Sequence, residues 1–168
     1  MAGSVEATCS DIIKKPGMSS GCNTFVQAVA KVYGKDDLFV GNADSIRTKL
    51  NVAPFKPIGK NPNLATSCAM QGKLAIGALS KAEATWKDSA GHQHSAVMGH
   101  VVVVVPGGPS RALTIRLQNG TAQPCRGGYP YCYQGAANPA YRFLARTQVD
   151  AVFPSHVLND VYYAYLDI

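Results

Sequence analysis

The sequence predicts an α+β domain in which N-terminal helices pack on a central antiparallel β-sheet. Three observations lead there. Residues 22–33 carry apolar side chains at 22, 25, 26, 29, 30 and 33, the spacing of a helix with a wide buried face. Residues 101–105 are five consecutive valines, a run suited to a strand buried on both faces and so central in its sheet. Helical patterns come first along the chain and strand patterns follow, rather than alternating. The chain has 168 residues, so 1–168 reads as a single domain, long enough to bury a core without disulfides or metal.

Taken in order, residues 5–15 read as a short helix stopped by Pro16-Gly17. The helix over 22–33 follows, with Ser19 or Ser20 as its expected N-cap and Gly34 as its stop. Residues 36–41 read as a loop. Asn42 is placed to cap a third helix, 43–50, whose Ile46 and Leu50 share a face. The Pro, Gly and Lys content of 52–63 reads as an irregular surface loop, and 64–70 as a helical turn. From 73–79 the period is that of a strand. A long polar connection over 80–98, holding Trp86, His92 and His94, leads to Gly99-His100 and the valine strand, which Pro106-Gly107-Gly108-Pro109 ends. Residues 112–117 are a further strand or part of an excursion. Residues 130–134 read as a short strand, 138–146 as a helical turn and 160–166 as the final strand.

The net charge of +6 is spread as singles and pairs such as Lys14-Lys15. Without a basic block or an RNA-type aromatic motif, no nucleic-acid partner is expected. A modest positive surface suits an acidic polymer, and equally a basic protein whose charge has no function. No apolar stretch approaches the ~18 residues of a membrane span. Residues 1–15 lack the charged-then-apolar pattern of a secretory signal. Of the five cysteines, Cys9, Cys68, Cys125 and Cys132 could pair in an oxidising compartment; Cys125 and Cys132 flank a short turn and are the nearest local pair.

Chemistry concentrates at Cys22. On the first turn of a helix, unpaired N–H groups and the positive dipole end face the thiol, a position expected to lower its pKa and favour the nucleophilic thiolate. The same N–H groups can receive an oxyanion. The other reading is a small core residue that continues the apolar stripe. His100 stands at the mouth of the valine strand, either as a residue that merely ends it or as a base mounted on a rigid element. A first-turn cysteine facing a histidine on a later central strand is the papain-type arrangement, with His100 taking the thiol proton and returning it to the leaving amine. Gln134, on the expected neighbouring strand, could orient the imidazole; Asn138 or a backbone carbonyl are alternatives. Asn23, beside the cysteine, could contact substrate or be structural.

Several segments then resemble a known family. Residues 22–30 (Cys-Asn-Thr-Phe-Val-Gln-Ala-Val-Ala) and 40–44 (Val-Gly-Asn-Ala-Asp) are similar to the cysteine segment of type VI secretion amidase effectors of the first family, small NlpC-type papain-like enzymes. Residues 71–76, 99–104 and 129–133 resemble the family's later strands in the same order, and the Tyr162-Tyr163-Ala164-Tyr165 ending is also similar. The resemblance implies a peptidoglycan amidase that needs no cofactor and cuts cell-wall peptide stems between D-glutamate and diaminopimelate. It makes Cys22 the nucleophile and His100 the base, and leaves Gln134 unsettled. It further implies a likeness in habit: a monomer made in the cytoplasm, exported by the type VI machinery, acting in the periplasm of a rival bacterium, and blocked by a cognate periplasmic immunity protein. The 80–98 loop is longer than in such relatives, and its His92 and His94 have no counterpart there. Rival readings are a zinc site built from His92, His94 and His100, a non-catalytic wall-binding domain, and a papain-like peptidase acting on ordinary proteins.

Overall fold

The valine run is the middle of the molecule. The computed structural model describes residues 3–168 and is an α+β fold whose sheets are antiparallel throughout. Its α-helices are α1 (Val5–Ile12), α2 (Cys22–Val32), α3 (Ala43–Lys49), α4 (Pro62–Met70) and α5 (Val149–Val152). The strands are β1 (Lys56–Gly59), β2 (Leu74–Leu79), β3 (Thr85–Lys87), β4 (Gln93–Ser95), β5 (His100–Val105), β6 (Leu113–Arg116), β7 (Ala122–Cys125), β8 (Tyr131–Tyr133), β9 (Thr147–Gln148) and β10 (Tyr162–Leu166). The main sheet has the order β1-β10-β2-β5-β8-β9; β3-β4 and β6-β7 are separate hairpins.

All five valines of β5 are fully buried, and they divide the core by strand alternation. Val101, Val103 and Val105 pack with Phe25, Val26 and Val29 of α2 and with Ile46 of α3. Val102 and Val104 pack with Phe153, Tyr163 and the α4 side of the sheet. Removing each valine side chain from water contributes roughly 1.5–3 kcal/mol, so this strand binds both layers together.

The helix ends show why these residues make these elements. Ser4 Oγ accepts from Ala7 N–H at α1, Asn42 Oδ1 from Ser45 N–H at α3, and Asn61 Oδ1 from Leu64 N–H at α4. Gly34, at φ +65°, lets the chain turn back so that the Gly34 and Lys35 N–H groups reach the Lys31 and Ala30 carbonyls. The N-terminus of α2 departs from expectation. Gly21, not Ser19 or Ser20, is the N-cap residue, and no side chain caps it. The serines belong to a 3₁₀ turn, Met18–Ser20, in which Ser20 Oγ donates to the Gly17 carbonyl at 2.7 Å.

Other expectations are corrected too. Residues 52–63 contain β1, which holds Pro57 because an edge strand can spare an N–H. Residues 36–41 contain a 3₁₀ turn, Asp36–Phe39, whose buried Phe39 meets Phe55 edge to face at 5.4 Å. The polar 80–98 connection folds as the β3-β4 hairpin, and 112–117 is indeed an excursion, β6-β7. All five cysteines are free and buried, with Cys125 and Cys132 on different sheets. Among the described residues no helix is long and apolar enough to cross a membrane.

Candidate active site

Two backbone approaches bring the start of α2 to one end of the sheet. Gly135, just past β8, lies so close to the 3₁₀ turn that a Cβ there would sit 2.5 Å from the Met18 carbonyl oxygen and overlap that of Gly21. One residue on, Ala136 N–H donates to the Ser19 carbonyl at 2.8 Å. Because β8 is the neighbour of β5, this staple carries Cys22 to the end of β5 that His100 opens.

The Cys22 side chain is 9% exposed. Burial pushes its thiol up, while the N–H groups of Val101, Asn23 and Cys22 itself pull it back down. Burial wins, which corrects the expectation of a lowered pKa from helix position alone. The donors have the predicted character: first-turn amides of α2, left uncapped, joined by the N–H of the residue after His100.

The His100 ring lies on the other face of β5, edge-on to Phe153 with centroids 5.3 Å apart. Burial lowers its pKa from 6.5 to about 4, and Gln134 opposes the shift. Gln134 is 1% exposed, and its Nε2 donates to the Tyr141 carbonyl at 2.6 Å. That bond fixes the amide, and leaves Oε1 buried, without a fully formed hydrogen bond, beside the imidazole. His100 and Gln134 therefore come together on one face of the sheet, while Cys22 meets β5 from the other face at Val101; no hydrogen bond joins the Cys22 sulfur to the His100 ring among the described residues.

His100 and Gln134 line a cleft of about 700 Å³, with Phe153, Met98 and Asn138; Cys22 is not in its lining. The sulfur is reached one residue further along β5, at Val101 N–H. Asn138 Oδ1 is occupied by Ala140 N–H, which argues against it as the imidazole's partner. Asn23 Nδ2 donates to the Gly41 carbonyl at 3.0 Å and ties α2 to the loop before α3, a structural role for this residue.

His92, His94 and His100 do not assemble. His92 and His94 share the Asp88 carboxylate on the exposed β3-β4 hairpin, at 3.3 and 2.9 Å, while the half-buried His100 lies against Phe153. Among the described residues no group of three or more His, Cys, Asp or Glu side chains is placed to hold a metal. Trp86 instead stacks on His94 (5.6 Å) and on His156 (4.0 Å), seating the hairpin against one lip of the cleft.

Sequence reasoning missed Phe153, Tyr141 and Asp150. All three sit in 138–153, where a 3₁₀ turn, a two-residue strand and a four-residue helix are too short to leave a periodic signal. Compared with known proteins, the chain matches no family model, and no curated protein is significantly similar to it.

Proposed function

We propose that this protein is a papain-like, NlpC-type cysteine amidase that cuts peptidoglycan stems between D-glutamate and diaminopimelate. One observation carries the reading. A cysteine at an uncapped helix start lies where the N–H groups of the first turn and of Val101, the residue following His100, pull its thiol pKa down, and the His100 imidazole lies beside a fixed glutamine. Those are the parts of thiol acyl transfer: a nucleophile, a base, an orienting group and oxyanion donors.

With the thiol pKa raised and the imidazole pKa lowered, the pair rests neutral, and the proton moves as the substrate is attacked. His100 takes the Cys22 proton while sulfur bonds to the carbonyl carbon. The carbonyl oxygen gains the electron pair and is held by the N–H groups of Cys22 and Val101. The tetrahedral species collapses, the C–N bond breaks, and the imidazolium gives its proton to the departing amine. Water then cleaves the thioester, giving its proton to His100, and the thiol is restored. Gln134 Oε1 accepts from the second imidazole nitrogen and steadies the cation that forms in each half.

No cofactor enters this chemistry. By the same family likeness, the protein acts as an antibacterial effector: a monomer exported by a type VI secretion machine, active in the target periplasm and restrained in its producer by an immunity protein. Expression directed to the periplasm should lyse the host, and Cys22→Ala should be harmless at equal abundance. Undiminished lysis by Cys22→Ala would remove the nucleophile assignment.

A further inference from the structure

We propose that Arg142 is a positioning residue, whose guanidinium closes the loop 134–142 into a frame that aims Gln134 at the His100 imidazole. The proposal rests on the amidase reading and deepens it by adding the residue behind the orienting glutamine.

Arg142 Nε donates to the Ala136 carbonyl at 2.9 Å, and its Nη2 to the Ala137 carbonyl at 2.9 Å. Among the described residues this half-buried guanidinium pairs with no carboxylate, and it does not line the cleft. Charge-assisted bonds from a planar fork are stronger and more directional than bonds between neutral groups. Ala136 and Ala137 lie in the cleft wall with Asn138 and Tyr141, so the fork holds that wall without reaching the cleft itself. The backbone of Arg142 fixes the other end of the loop. Its N–H donates to the Pro139 carbonyl at 3.2 Å. The preceding carbonyl, that of Tyr141, accepts from Gln134 Nε2 at 2.6 Å and from Phe143 N–H at 3.2 Å.

These bonds form a closed circuit. The chain leaves Gln134, is gripped by the fork at Ala136 and Ala137, and returns at Tyr141 to hold the Gln134 amide nitrogen. With Nε2 fixed, Oε1 stays buried beside the imidazole. Ala136 N–H also donates to the Ser19 carbonyl at 2.8 Å, so the fork braces the turn that leads into Cys22 as well. Without the fork, the wall keeps only neutral bonds, and the glutamine amide is free to rotate. Arg142 acts here through Gln134 and not through its own charge. Burial and Gln134 are what move the His100 pKa, although His156 lines the same cleft and Asp150 lies in its wall. The two modes of action differ in sign. Removing a cation that acted directly on the imidazole would raise its pKa, whereas losing an acceptor that Arg142 holds in place lowers it.

The test titrates the imidazoles of the full chain by NMR, with the His100 signal assigned by its loss in His100→Gln. With its pKa at about 4, about half of the wild-type imidazole is protonated at pH 4. Gln134→Ala should lower that fraction at least threefold, and Arg142→Ala at least twofold. Arg142→Lys keeps the charge but not the fork, so it should lower the fraction less than Arg142→Ala does. Adding Arg142→Ala to Gln134→Ala should lower it no further. On a stem tripeptide, Arg142→Ala should reduce kcat at least threefold and leave KM within twofold. An unchanged fraction in Arg142→Ala overturns the proposal and makes Arg142 a loop brace alone. A raised fraction overturns it too, as does a further fall in the double variant or a loss confined to KM. If Arg142→Ala does not fold, Arg142→Lys must still lower the fraction; no change there, or failure of both to fold, counts against the proposal. If the wild type hydrolyses no stem peptide while the NMR pattern holds, the amidase reading fails and the frame around His100 stands.

Discussion

His100 is held neutral by burial, and this has consequences that pH can read. Its folded pKa, about 4, lies below the ordinary 6.5, so between those values the unfolded chain binds more protons than the folded one. Stability therefore falls as pH drops from 6.5 towards 4 and levels off below. The 2.5-unit gap amounts to about 3 kcal/mol at most. Chemical denaturation at pH 7 and pH 4.5 should show a drop that is much smaller in His100→Gln; an equal drop in both would place the titration elsewhere. For catalysis the base must be neutral, so the acid limb of kcat/KM should lie near pH 4, not 6.5. Gln134→Ala should raise the cost of the imidazolium and move that limb to lower pH, with a loss of about tenfold in kcat. An unchanged pH profile would leave Gln134 a core residue. At Cys22, iodoacetamide should abolish activity while chelators leave it intact; loss to a chelator restored by zinc would favour a metal instead.

At the scale of elements, the start of α2 is set by backbone contact, not by a cap. Gly135→Ala would drive a methyl group into the Gly21 and Met18 carbonyls and push the first turn away from His100. Activity should drop at least tenfold, with destabilisation of about 1–3 kcal/mol. Gly128→Ala is the natural comparison. It strains a positive φ but meets nothing within 4 Å, so it should cost stability without a matching loss of activity. Equal activity losses would show that the contact at Gly135 does not position the nucleophile. The regular elements were legible in the sequence because each buries a periodic face: α2, β2, β5 and β10 lie where their patterns put them. Asn42 was legible as a cap because a short acceptor preceded the apolar face of α3. The true N-cap of α2 was not, since Gly21 acts through a non-local approach by Gly135, 114 positions later. β1 was hidden by its proline. Phe153 and Asp150 were hidden because only tertiary contacts give their short elements a role.

The whole molecule places its helices on both faces of the antiparallel sheet, and the candidate site at the end where β5 and β8 meet α2. Cys22, His100 and Gln134 were legible as candidates because nucleophile, base and polar neighbour each opened or followed a recognisable element. The balance of their pKa values was not, because burial is a property of the assembled core. The cleft's lack of lysine and arginine was equally invisible in a net charge of +6. If the protein acts on cell wall, the same chain should be tolerated in the cytoplasm, where no peptidoglycan lies, and toxic only in the periplasm. The most direct measurement is digestion of purified peptidoglycan sacculi by the wild-type protein and by Cys22→Ala, with mass spectrometry of the released fragments. Wild type should release stems cut between D-glutamate and diaminopimelate, and Cys22→Ala should release none. Intact sacculi, or the same fragments from both proteins, would contradict a Cys22-dependent amidase.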